Sequence, residues 1–163
     1  MILVDSPIDG TSFVNVERER YADSYSRWCP SQDGISRGDA LFPTMAELFV
    51  WSAILGYIEG QCAPLRERYP SPPFRWLNIK DKHQHRLIMM ALASLGSFDF
   101  LNQPELIKQD IEGHSNAGLL LMHKEVALDR QAYQETESLI FQLQKRIPAA
   151  DDVRGTAATS AEF

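Results

Sequence analysis

The sequence is poor in cysteine, in long apolar runs and in catalytic signatures, and each shortage excludes something. Two cysteines in 163 residues, Cys29 and Cys62, are too few for a disulfide framework, so free thiols in a reduced compartment are expected. The longest apolar stretch, "LFVWSAILGYI" (48–58), has 11 residues. A bilayer needs about 20, so this segment reads as a buried helix rather than a membrane span. The opening "MILVDSPIDG" has neither a basic n-region nor a sustained apolar run. No signal peptide is expected there, and the cytoplasm is the expected location. There is no CxxC, no phosphate-cradling P-loop, no GxGxxG and no GxSxG. Asp and Glu are plentiful but form no nuclease-like or glycosidase-like pattern. No cofactor is expected.

What is present is an ordinary globular composition, 44% hydrophobic and 23% charged, in a length that suits one domain with a real core. The net charge of −6 argues against indiscriminate nucleic-acid binding. That charge is unevenly spread. Residues 66–86 hold Arg66, Arg68, Arg75, Lys80, Lys82 and Arg86 against Glu67 and Asp81, a local +4 that leaves −10 for the rest.

The expected fold is all-α: a compact bundle of about five helices over residues 1–147, with a short two-stranded element and a disordered tail at 148–163. Val14, Tyr21, Tyr25 and Trp28 recur at helical spacing and predict a helix from about 15 to 28, stopped at Cys29-Pro30. Residues 31–40, with two glycines, read as a loop. Thr44-Met45-Ala46-Glu47 has the form of a capping box and opens a helix running to about Gly60. That helix is apolar on nearly every side and should be central. Ser52, Gly56 and Gly60 repeat every four residues along it and predict a smooth packing groove. The prolines of 63–79 exclude helix there, with "FRWLNI" a candidate edge strand. Asp81 opens the next helix, which closes at Gly96. Asn102, with Glu105 three residues on, reads as the cap of another. A last amphipathic helix covers roughly 132–147.

The segment "IEGHSNAGLLLMH" (111–123) interrupts this regularity with small and polar residues. At 100° per residue, Ile107, Ile111, His114, Gly118, Leu121 and Met122 share one face. A continuous helix is therefore preferred over a functional loop. Gly118 then costs about 1 kcal/mol in helix propensity, a cost that close approach to the Ser52/Gly56/Gly60 groove would offset. His114 and Asn116 are the candidate functional residues of the segment. His114 reads either as a half-buried structural histidine or as a proton-transferring one, with Asp110 at i−4 its nearest carboxylate. His83 and His85, two apart on a helix, diverge by about 200° and are not expected to share a metal. No metal site is expected.

The basic segment is the main binding candidate. Its six cations alternate with Tyr69, Phe74 and Trp76, the mixture that phosphate contact and base stacking require. Trp76 is the candidate stacking residue. The competing reading is a proline-braced loop whose aromatics are core anchors.

Three stretches, "LFPTMAELFVWSAILGYIEGQCAPL", "FRWLNIKDKHQHRLIMMALAS" and "HSNAGL", resemble the Dnd system-associated protein four family. The matching positions are Phe42 and Thr44, Gly56 and Gly60, Trp76, and His114 through Leu119, within roughly 17–125. His114 stands where the family has tyrosine and Ala117 where it has a first glycine. The resemblance implies a place beside bacterial DNA phosphorothioation systems, which mark self DNA in phage defence. It carries over no catalytic residue. The expected function is thus a non-catalytic accessory protein that binds a protein partner of such a complex, with DNA contact through Arg66–Arg86. The alternatives are a small hydrolase or nuclease using His114 or His83/His85, and a structural homodimer built on the last helix.

Overall fold

The computed structural model describes residues 6–29 and 41–128, with side chains to 124. The loop expected at 31–40, the fifth helix at 132–147 and the tail at 148–163 lie outside the described residues. Within them the fold is mostly α-helical, with four helices and one two-stranded antiparallel sheet. No helix among the described residues is long and apolar enough to cross a membrane.

Helix α1 is composite: Arg18–Arg20, a wide π-type segment Tyr21–Tyr25, and Ser26–Trp28. In the wide segment the Ser26 N–H reaches back five residues to the Tyr21 carbonyl. This turns Ser24 inward, where its hydroxyl lies 2.7 Å from His123 Nε2, and the His123 ring stacks on Trp28 at 4.6 Å. Helix α2 (Met45–Ile58) is capped by Thr44, whose hydroxyl accepts the Glu47 N–H at 3.1 Å. Only that half of the capping box forms, because Lys80 Nζ holds the Glu47 carboxylate at 3.0 Å. Helix α3 (Asp81–Leu95) closes at Gly96, at φ 78°, a conformation that glycine adopts without steric cost.

Helix α4 (Pro104–Leu128) runs unbroken through the segment of small and polar residues. It begins at Pro104, after a 3-10 turn at Phe98–Asn102, so Asn102 ends that turn instead of capping α4. Proline suits this first position, where its missing N–H leaves no bond unmade. Residues 111–119 are all buried. The apolar core against them is drawn from α2 (Leu48, Phe49, Ala53, Leu55), α3 (Leu87, Ala91) and α4 itself (Ile107, Ile111, Leu119, Met122).

The α2–α4 contact is made backbone to backbone. A Cβ on Gly118 would collide with the Ser52 carbonyl oxygen, and one on Gly56 with that of His114. The Ser52 and Ser115 hydroxyls bond across the same seam at 2.7 Å. Gly60 is not part of this groove. It has open space around its Cα and φ 64°, and it ends α2. A terminating glycine and a packing glycine share the same four-residue repeat in sequence; only the backbone separates them.

Strands β1 (Phe13–Val14) and β2 (Phe74–Arg75) pair antiparallel and tie the N-terminal arm to the proline-rich segment. Alternation along β2 buries Phe74 and exposes Arg75. Helix α4 holds the same arm through Lys108 Nζ to Ser12 Oγ at 3.0 Å, and through Glu112, which accepts the Asn15 N–H at 2.8 Å and its Nδ2 at 3.0 Å. Burial drives the Glu112 carboxyl above the ordinary range, and its bonds to Asn15 and the nearby Lys108 charge only partly oppose this. A carboxyl raised on folding contributes stability below its unfolded pKa and loses it as pH climbs through the folded one. The stability gap between the native protein and Glu112→Gln should therefore shrink, or change sign, between about pH 4 and about pH 7. Urea unfolding across that range measures it, and a gap that widened with pH would contradict the assignment.

Candidate functional site

The six cations of the basic segment are all exposed. Their backbone is not loose. The buried carboxylate of Glu17 accepts the N–H groups of Arg66 at 2.7 Å and Glu67 at 2.9 Å. A bridge joins Glu17 to Arg68, and the Tyr69 N–H reaches the Val16 carbonyl at 2.9 Å. The Tyr69 ring stacks on Tyr21 at 3.7 Å. Lys80 is paired with Glu47. Among the described residues, Arg66, Arg68, Lys82 and Arg86 have no carboxylate partner.

Trp76 is 0% exposed, and its indole Nε1 donates to Ser6 Oγ at 3.2 Å. A fully buried ring presents no face to a base, so the stacking role expected of Trp76 is withdrawn. The accessible aromatic here is Phe13, directly across from Arg75 in the sheet, with the guanidinium carbon 5.1 Å from its ring centroid. Phe13 escaped sequence reasoning because its pairing with Arg75 spans 62 positions of chain.

Neither His83 nor His85 touches a carboxylate among the described residues, and their side chains diverge on α3 as helical spacing demands. Asn116 lies 7% exposed beside an open cleft of about 470 Å³ also lined by Glu17, Arg20 and Arg66. Its Nδ2 donates to the Ala63 carbonyl at 3.0 Å, which makes it an anchor for the loop after α2.

His114 is held on both ring nitrogens. Its Nδ1 lies 2.7 Å from the Gln61 carbonyl, which can only accept, so Nδ1 carries a proton. Nε2 points the other way, 3.1 Å from Ser94 Oγ and 3.4 Å from Asp110 Oδ2. Ser94 Oγ in turn donates to Asp110 Oδ1 at 3.1 Å. The edge of the ring meets Tyr57 at 5.6 Å. Burial lowers the imidazole pKa, but the Asp110 and Gln61 hydrogen bonds and the Asp110 charge outweigh it and raise the value. The resulting ion pair stabilises the fold fully below the ordinary imidazole pKa, and that contribution fades as pH rises through the raised one.

A third group joins the pair. Cys62, on the exposed loop after α2, brings its thiol to α4, and one ligand atom from each of Cys62, Asp110 and His114 lies within 4.8 Å of the others. No protein-family model, curated protein or solved structure matches the chain. The roles of these residues therefore rest on geometry and chemistry. Sequence spacing offered Asp110 with His114 at i,i+4. It offered nothing for Cys62, which reaches them only because Gly56 lets α2 end against the His114 backbone.

Proposed function

We propose that this chain is a non-catalytic accessory protein of a bacterial DNA phosphorothioation and phage-defence system. It binds a protein partner and contacts the DNA backbone through Arg66, Arg68, Arg75, Lys80, Lys82 and Arg86. The observation that carries the DNA part is the exposure of all six cations on a segment whose backbone is fixed from beneath by Glu17 and the two-stranded sheet. Preorganised cations with an acidic remainder favour local backbone contact over general adhesion to nucleic acid. The phosphorothioation context is supported by the resemblance of the three sequence stretches.

The test is an electrophoretic shift titration on duplex DNA at several salt concentrations. Each phosphate contact contributes about 0.9 to the slope of log K against log salt. Replacing Arg68, Arg75 and Lys82 together by alanine should reduce that slope by roughly 2 to 3, with the melting temperature nearly unchanged because all three side chains are exposed. Affinity and salt slope both unchanged by the triple replacement would rule out the DNA contact. His114 beside Asp110 favours a second reading, a small histidine-dependent hydrolase. The cleft that Asn116 lines does not include His114.

A further inference from the structure

We propose that Cys62, Asp110 and His114 form a binding site for a zinc-class divalent transition-metal ion, with one coordination position left to water or an exogenous oxygen donor. The site is independent of the basic face and would stand if DNA contact failed.

The donor set is one thiol, one imidazole and one carboxylate. That combination suits zinc and its neighbours, since the thiol is too soft for magnesium or calcium. Two of the three donors already sit at the right separation. In a tetrahedral zinc site a nitrogen and an oxygen ligand, each bound at about 2.1 Å, stand roughly 3.4 Å apart. The His114 Nε2 to Asp110 Oδ2 distance is 3.4 Å. Their i,i+4 spacing on α4 projects both from one face of a helix, as metal-binding helices do.

Three features outside the donor set point the same way. His114 Nδ1 donates to the Gln61 carbonyl, which fixes the ring and turns Nε2 toward the other donors; metal-bound histidines are usually held by such a bond. Apart from its 3.4 Å pairing with His114 Nε2, the buried Asp110 Oδ2 has no hydrogen-bond partner among the described residues, while Oδ1 is held by Ser94. An ion would lie between Oδ2 and Nε2, in place of the proton that the two now share. Finally, a Cβ on Gly113 would lie 2.7 Å from Cys62 Sγ, so glycine at that position admits the thiol to the helix surface. The side chains of His114 and Asp110 are only 6% and 12% exposed, whereas Cys62 is exposed, so an ion would enter from the Cys62 side. On binding, the Cys62 S–H proton and, where the imidazole is charged, the His114 Nε2 proton are released to solvent, and the thiolate and neutral Nε2 bond to the metal; no electron is transferred.

Cobalt(II) is the probe, added to the full chain. The expected result is one equivalent bound, with visible bands of tetrahedral intensity and a near-ultraviolet sulfur-to-cobalt charge-transfer band. Cys62→Ser should abolish the charge-transfer band. Ser94→Ala, which frees Asp110 without removing a ligand, should weaken binding roughly tenfold. His85→Ala should leave both unchanged. A spectrum without the charge-transfer band, or one that persists in Cys62→Ser, overturns the site. A second measurement needs no variant. Cys29 is buried and its thiol is pushed up to about 12 by burial, so Cys62 is the thiol open to iodoacetamide in the native protein. One equivalent of zinc should slow its alkylation at least about tenfold; unaltered alkylation also overturns the proposal.

Discussion

Gly118→Ala is expected to lower the melting temperature by roughly 10 °C, although alanine is the better helix former. On propensity alone the change should stabilise α4 by about 1 kcal/mol. The added methyl has no room, however: it would run into the Ser52 carbonyl, which belongs to the backbone of another helix and cannot rotate away. Overpacking of this kind costs about 3 kcal/mol, which for a chain of this size is a fall of roughly 10 °C. Gly56→Ala should behave alike, because its methyl meets the His114 carbonyl. Gly60→Ala should cost only about 1 kcal/mol, through its left-handed backbone, and Gly60→Asn less still. Calorimetry of the four variants separates the two roles. A Gly118→Ala protein as stable as the native one would refute the backbone-contact account.

Removal of the Glu17 carboxylate is the second large effect. Its oxygens accept two backbone N–H groups, from Arg66 and Glu67, and the residue is 9% exposed. Glu17→Ala removes the charged acceptor from both part-buried bonds, and hydrogen bonds to a charged group are worth about 1.5 to 3 kcal/mol each. A loss of about 3 kcal/mol is expected, with Glu17→Gln between it and the native protein because a single amide oxygen replaces two acceptors. The damage should be local. Hydrogen exchange at the amides of residues 66–69 should accelerate far more than at Ile107–Leu119. The six cations would then ride on a slack backbone, so DNA affinity should fall although no basic side chain has been touched. Uniform acceleration across the whole fold would show that Glu17 does not specifically hold the basic segment.

Much of the fold was legible in local pattern. Thr44 with Glu47 marks the start of α2, Gly96 the end of α3, and the stripe from Ile107 to Met122 carries α4 through its small residues. The Ser52–Gly56 ridge and Gly118 correctly implied that two helices approach closely. What escaped has physical causes. Gly60 mimics a groove residue because both roles call for the smallest side chain, and only φ distinguishes them. Trp76 looked like a stacking platform because basic neighbours surround it in sequence. The 3-10 turn at Trp76–Asn78 carries it into the core, while strand alternation sends Arg75 outward. Cys62 had no sequence partner, since Asp110 and His114 lie about fifty residues away and meet it only in the folded chain. One signal pointed to it: if Gly56 packs on His114, the loop just beyond the end of α2 must also lie against α4.

The seam between α2 and α4 also has a kinetic meaning. Its two glycine contacts, Ser52 with Gly118 and Gly56 with His114, join positions roughly sixty residues apart and fit in one register only. Side chains can interlock approximately and anneal later, but two main chains at this separation either mate or remain apart. Such contacts are expected to form late in folding and to be lost early in unfolding, which measured folding and unfolding rates of the glycine variants would test. An added methyl at Gly118 should therefore leave the refolding rate almost unaltered and multiply the unfolding rate. The lifetime of the native state, more than the speed of reaching it, is written into that seam.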